Sequence, residues 1–212
     1  MDSSERLAEQ SMLDGILNAS DEKLRGEALR IHGPVRNSEI HYTEQRSRDA
    51  SLTVQRNAVW LLRTSRDPQA AQILRRRIAD TADLVVFALA FENLRAAPDA
   101  KLLADSRTDL IAKALQSSDT MVFSVGLHAA ALVGTPELPA LLSTALGHRE
   151  QKVREAAVEV ISQLGNATAY ESQLRGLLIG KDRYPVSDYT PVYAVLTQST
   201  DSSTFGVIQH SL

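Results

Sequence analysis

Apolar residues return along this chain at the spacing of one helical face, and the same stripe recurs every 30 to 37 residues. Val153 to Gly165 reads VREAAVEVISQLG and Val122 to Gly134 reads VFSVGLHAAALVG; in both, the glycine stands twelve positions after the first valine. The register extends to equivalent first positions at Leu24, Val54, Val86, Val122, Val153 and Thr190. Four positions after each of these anchors stand Ala28, Ala58, Ala90, Gly126, Ala157 and Ala194, all small. One position later come Leu29, Val59, Phe91, Leu127, Val158 and Val195, all apolar. A helix buries positions i, i+4, i+5 and i+8 on one side. A small residue in mid-stripe lets a second helix approach closely. Six such stripes in register predict stacked helix pairs, each burying the apolar face of its neighbour.

The helices between the anchored ones are predicted at 68–78, 110–115, 136–146 and 167–178, with a further helix at about 4–17. Pro68, Pro98 and Pro136 fall near helix starts, where a missing N–H costs least. Gly134 and Gly165 fall where a helix needs a left-handed stop. The segment 37–49 has little apolar period and predicts a poor helix.

Leu138 to Gly165, reading LPALLSTALGHREQKVREAAVEVISQLG, resembles a HEAT repeat of the short bacterial kind also found in phycobilisome-lyase-like proteins. The resemblance is tight over 136–178, looser over 21–135 and poor after Lys181. It implies an all-α fold, a right-handed α-solenoid of about six HEAT-like, armadillo-like helix pairs. Residues 1–181 would form the repeat domain and 182–212 a degenerate capping repeat of the same domain. Tyr184, Tyr189 and Tyr193 in that tail fit either a cap or a contact surface. HEAT-repeat proteins are mostly scaffolds, adaptors and inhibitors, although some bind DNA or act as lyases.

Composition narrows the setting. The chain of 212 residues has no cysteine, which excludes disulfides, cysteine nucleophiles and thiolate metal sites. No signal-like start and no membrane-length apolar run is visible, and a bacterial cytoplasmic location is the expectation. Net charge is −3, which gives no general affinity for nucleic acid. The stretch from Arg25 to Arg77 nevertheless holds eleven arginines, no lysine and five acids. Such a stretch reads as a helical face laced with ion pairs, or as a surface for planar anions.

Catalytic motifs do not appear. There is no GxGxxG, P-loop, HExxH or GxSxG, and no two of the five histidines share a helical face. The chain is therefore expected not to be an enzyme and to need no cofactor or metal. His32 falls on a buried stripe, whereas His128 falls on an outward one with no acid nearby in sequence to orient it.

The resemblance places the anchored helices on an inner, concave wall, and positions +2, +6 and +9 from each anchor would face outward from it. Those positions bring Arg30, Arg56, Trp60, Arg63, Glu92 and Arg95 to the first half of the wall. They bring His128, Glu155 and Glu159 to the second half. Gly26, Ala88, Val192 and Leu196 are also placed outward by this rule. Trp and Arg are the residues most enriched at binding hot spots. Trp60 could instead pack beneath the segment 37–49. The expected function is a non-catalytic adaptor or inhibitor that holds a partner protein in the groove, the arginines on an acidic surface and the glutamates on a basic one. The alternative is a nucleic-acid-binding protein using the Arg/Trp face.

Overall fold

The computed structural model describes residues 11, 15–16, 19–32, 40–65, 67–165, 167–179, 190–197 and 202–211. The helix expected at 4–17 therefore lies largely outside the described residues, as do Tyr184, Tyr189 and most of the segment that joins them to the repeats. Among the described residues every regular element is a helix. The chain divides into two compact units, residues 1–97 and 98–212.

The first unit contains α1 (Glu22–His32), α2 (Ile40–Arg46), α3 (Leu52–Leu62), α4 (Pro68–Asp80) and α5 (Leu84–Leu94). The anchored helices α1, α3 and α5 stack in sequence, α2 packs on α3, and α4 packs on α5. The second unit contains α6 (Ala100–Asp105), α7 (Thr108–Ala114), α8 (Thr120–Val133), α9 (Leu138–Leu146) and α10 (Gln151–Leu164). A 3-10 turn at Ala167–Tyr170 then leads to α11 (Glu171–Ile179), α12 (Thr190–Leu196) and α13 (Ser202–Ser211). Here α8, α10 and α12 form the stack; α6 and α7 pack on α8, α9 on α10, and α11 on α12. The last helix, α13, lies on α11, where the Thr204 hydroxyl donates to the Glu171 carboxylate.

The periodic stripe is the core. Val54, Ala58, Val86, Ala90, Phe91, Val153 and Ala157 are each 0 % exposed. The small mid-stripe positions do what close stacking requires. A Cβ built on Gly126 would stand 3.1 Å from the Cβ of Ala114 and 3.2 Å from the backbone nitrogen of Leu115, so a larger residue would push α7 away from α8 by a few tenths of an ångström. Ala157 occupies the same place in α10. Ala157→Leu is expected to cost about 1–2 kcal/mol by overpacking. Urea denaturation tests this, and an unchanged midpoint would mean that the stripe does not pack as described.

A second repeated feature closes each connection. An acidic residue three positions before an anchor caps the helix: Asp83 accepts from the N–H of Val86, and Asp119 from those of Met121 and Val122. In α1, α3 and α10, a long polar side chain one position after the anchor reaches back to the preceding loop. Arg25 donates to the carbonyls of Ala19 and Ser20, Gln55 to that of Asp49, and Arg154 to those of His148 and Arg149. Gly134 and Gly165 end α8 and α10 with φ of 78° and 64°, the left-handed stop expected of them.

Three expectations need correction. The segment 37–49 yields a short helix, α2, that buries Ile40, Thr43 and Arg46, with Ser47 and Asp49 buried just after it. Its period was hidden because its inward positions are largely polar, with Arg46 donating to Asp49 and Ser47 to the Glu44 carbonyl. Leu24, in the first turn of α1, is 53 % exposed and does not begin the buried stripe. In α12, Thr190 and Ala194 are exposed, and the buried stripe is Val192, Val195 and Leu196. Thr190 opens that helix, so the register there is displaced by two positions.

Candidate functional site

On one face of α3 and its C-cap the chain sets a row at helical spacing, with Leu52, Trp60 and Arg63 exposed and Arg56 half-buried among them. The core stripe of the same helix, Val54, Ala58, Val59, Leu61 and Leu62, occupies its other side. Trp60 is 47 % exposed and therefore does not pack beneath α2. Leu52 is also 47 % exposed. It was missed by counting forward from Val54, although it stands four residues before Arg56 on the same face. A large aromatic and a large aliphatic side chain lie uncovered on a helix whose opposite face is fully packed.

The arginines around them are less available than the sequence implied. Arg56 forms a fork on Asp83, the cap of α5, with its Nε at 3.2 Å and its Nη2 at 2.7 Å from the two carboxylate oxygens. Burial would raise the Asp83 carboxyl, but the bonds from Arg56 and from the Val86 N–H outweigh it and hold the group below the usual carboxylate range. Arg56 thus braces one repeat against the next. Arg95 lies 3.6 Å from Glu92, one turn back on the same face. Arg63 is exposed, and the side chain of Arg30 lies outside the described residues. Among the described residues of the arginine-rich stretch, Arg25, Arg46, Arg48, Arg56, Arg76 and Arg77 pair with carboxylates. Two of those acids, Asp80 and Asp83, stand just beyond Arg77, so the apparent excess of positive charge was partly an effect of where the stretch was cut.

The densest of these pairings surrounds Asp49, whose side chain is 5 % exposed. Burial pushes its carboxyl up, yet hydrogen bonds from Arg25, the Ser51 N–H and Arg46 prevail and hold it down at about 2, against an ordinary 3.8. A folded value below the unfolded one stabilises the fold above about pH 4, and that contribution is lost as pH falls toward 2. It amounts to on the order of 2 kcal/mol. Asp49→Asn should therefore flatten the acid limb of a stability–pH curve between pH 4 and 2. An acid limb unchanged by the substitution would contradict this.

In the second unit the structure moves one expected site residue inward. His128 is 6 % exposed, where the +6 rule placed it outward. The stacked helix α10 covers it, and the Glu159 carboxylate lies 3.5 Å from its Nε2. An acid therefore does face this histidine, but it comes from the next repeat and so was invisible in the local sequence. Glu159 also accepts from Gln163 at 3.4 Å, and Glu155 accepts from Gln151 at 2.7 Å. Gly26, Ala88, Val192 and Leu196 are likewise buried. The reason is visible at Gly26, whose carbonyl accepts from the Asn57 side chain of α3 at 3.0 Å. Stacked helices approach closely enough that position +2 meets the neighbouring helix instead of solvent. His32 has a side chain outside the described residues.

Among the described residues, no three His, Asp or Glu side chains are gathered as a metal site would need. No described helix is long and apolar enough to cross a membrane.

A designed armadillo repeat protein has a similar structure, with a TM-score of 0.51 and 18 % sequence identity over 95 % of this chain and 97 % of that one. The chain therefore has an all-α helical-repeat solenoid fold. A looser match, with a TM-score of 0.41 and 12 % identity, is to YibA of Escherichia coli, over 99 % of this chain and 96 % of that one. No family model matches the sequence, and no curated protein matches it.

Proposed function

We propose that this chain is a non-catalytic adaptor or inhibitor, built of HEAT-type repeats, that binds another protein through the exposed face of α3. The observation that carries the reading is Trp60, nearly half exposed between Arg56 and Arg63 on a helix whose other side is fully packed. An indole left half in solvent gains little from packing within the chain, whereas aromatic and arginine side chains together are what binding hot spots use. Leu52 extends the apolar part of the face. Arg63 is placed to meet an acidic partner, with the part of Arg56 that Asp83 leaves exposed beside it. Glu155 and Glu159 would meet basic groups in the second unit, with His128 acting behind Glu159 instead of touching the partner. Repeat solenoids use such surfaces for binding and seldom for chemistry, which supports a role outside catalysis.

Capture from an extract of the native source, using the intact chain and the Trp60→Ala variant side by side, tests the reading. A protein retained by the first and lost from the second supports it. Retention of nucleic acid instead, with binding to duplex DNA that falls steeply with salt, would favour the nucleic-acid reading of the same face. The net charge of −3 argues against that outcome.

A further inference from the structure

At the N-terminal end of the exposed α3 face lies a polar cleft of roughly 420 Å³. It is bounded by Arg48, Leu52 and Gln55 on one side and by Arg77, Asp80 and Asp83 on the other. Its wall is unusual for a surface depression because it includes a buried guanidinium. Arg77 is 5 % exposed, and burial lowers its affinity for its proton, an effect opposed by Asp80 and reinforced by Arg48. Its Nη1 donates to Asp80 at 2.7 Å and its Nη2 to Gln55 at 3.0 Å, while its Nε is buried without an acceptor.

Charge around the cleft does not balance. Asp80 is shared by two guanidiniums, with Arg48 on its second oxygen at 3.3 Å. Asp83 is engaged by Arg56 and by the start of α5. Arg48 and Arg77 in the lining thus share one carboxylate, Asp80, while Asp83 is drawn on by Arg56 from beyond the lining, and Arg77 is largely desolvated. A desolvated cation with a second cation nearby gains most from one more anion. Leu52, on the rim, is exposed and apolar, so the anion it suits carries a short aliphatic stem.

We infer that this cleft is a subsite for a carboxylate side chain, an Asp or Glu on an acidic segment of the protein partner, seated between Arg48 and Arg77 with its methylene groups against Leu52. The inference rests on the protein-binding reading of α3 and names the partner chemistry at one end of that face. Arg48 is half exposed and can turn toward an incoming carboxylate while Arg77 holds Asp80 in place.

The test is a titration of the whole chain, followed by NMR of the arginine Nε–Hε groups and of the backbone amides at 80–83. The probes are a blocked hexapeptide containing two glutamates, the same peptide with glutamines, and inorganic phosphate. Saturable shifts at Arg48, Arg77 and 80–83 with the glutamate peptide alone are expected. Arg48→Ala should weaken that binding at least about fivefold, the scale of one partly exposed charged hydrogen bond. Arg48 lies on the surface, so this variant should fold. Equal binding of the glutamine peptide, tighter binding of phosphate, or an affinity unchanged in Arg48→Ala would each overturn the assignment. Trp60→Ala should leave peptide binding intact, because Trp60 lies about 12 Å along the helix from Leu52. Binding of the peptide with no loss of captured protein in Trp60→Ala would keep the subsite and discard the wider role of α3.

Discussion

Arg154→Ala is expected to lower the stability of the chain by about 3 kcal/mol. Arg154 is 1 % exposed, and its side chain is among the largest fully buried ones. Its Nη1 donates to the carbonyl oxygens of His148 at 2.7 Å and Arg149 at 2.8 Å, the two residues that lead into α10. Alanine would leave both carbonyls short of a donor and open a cavity where the guanidinium and its stem had been. The loop between α9 and α10 would lose its tie to the second of these helices. Lysine supplies one ammonium in place of a planar fork and should restore only part of the loss. Equilibrium denaturation of the three proteins gives the comparison. A loss below about 1 kcal/mol would mean that water replaces the guanidinium without penalty. Arg25 makes the same pair of bonds in the first unit and also forks onto the buried Asp49.

Trp60→Ala is expected to weaken binding of the protein partner by about 2 kcal/mol or more, roughly thirtyfold in affinity. The loss follows from position: an exposed indole at the middle of the α3 face can be fully buried only by something that arrives from outside. Folding should change by less than about 1 kcal/mol, because the side chain is not part of the packed stripe. Isothermal titration with the captured partner measures the first quantity and thermal unfolding the second. A large loss of stability with unchanged affinity would place the contact elsewhere on the chain. Arg63→Ala should have a smaller effect than Trp60→Ala, as befits a charge toward the edge of the face.

These two residues show what the sequence could convey. The stripe that buries Val153, Ala157 and Val158 is a local property: the 3.6-residue period and the small mid-stripe residue are written within fifteen positions and repeated. They determined the helices, their pairing and the all-α solenoid class. The glycine stops at Gly134 and Gly165 were legible for the same reason, whereas the stripe left Trp60 open between an outward position and packing beneath 37–49, and the structure decided it. Contacts between repeats were not. Whether position +2 or +6 faces solvent depends on how close the next helix lies, and that distance is set by side chains some thirty residues away. His128 was therefore expected outward and is buried against Glu159. Arg56 was expected to be available and is held by Asp83. Arg77, which carries no signal beyond its place in a run of arginines, forms the wall of a cleft only because α3, α4 and α5 bring Gln55, Asp80 and Asp83 around it. The sequence by itself determined the repeat, since helical periodicity is a one-dimensional pattern. Only the tertiary structure decided which charges are spent within the fold and which remain for a partner, since ion pairs form between residues that the chain keeps far apart.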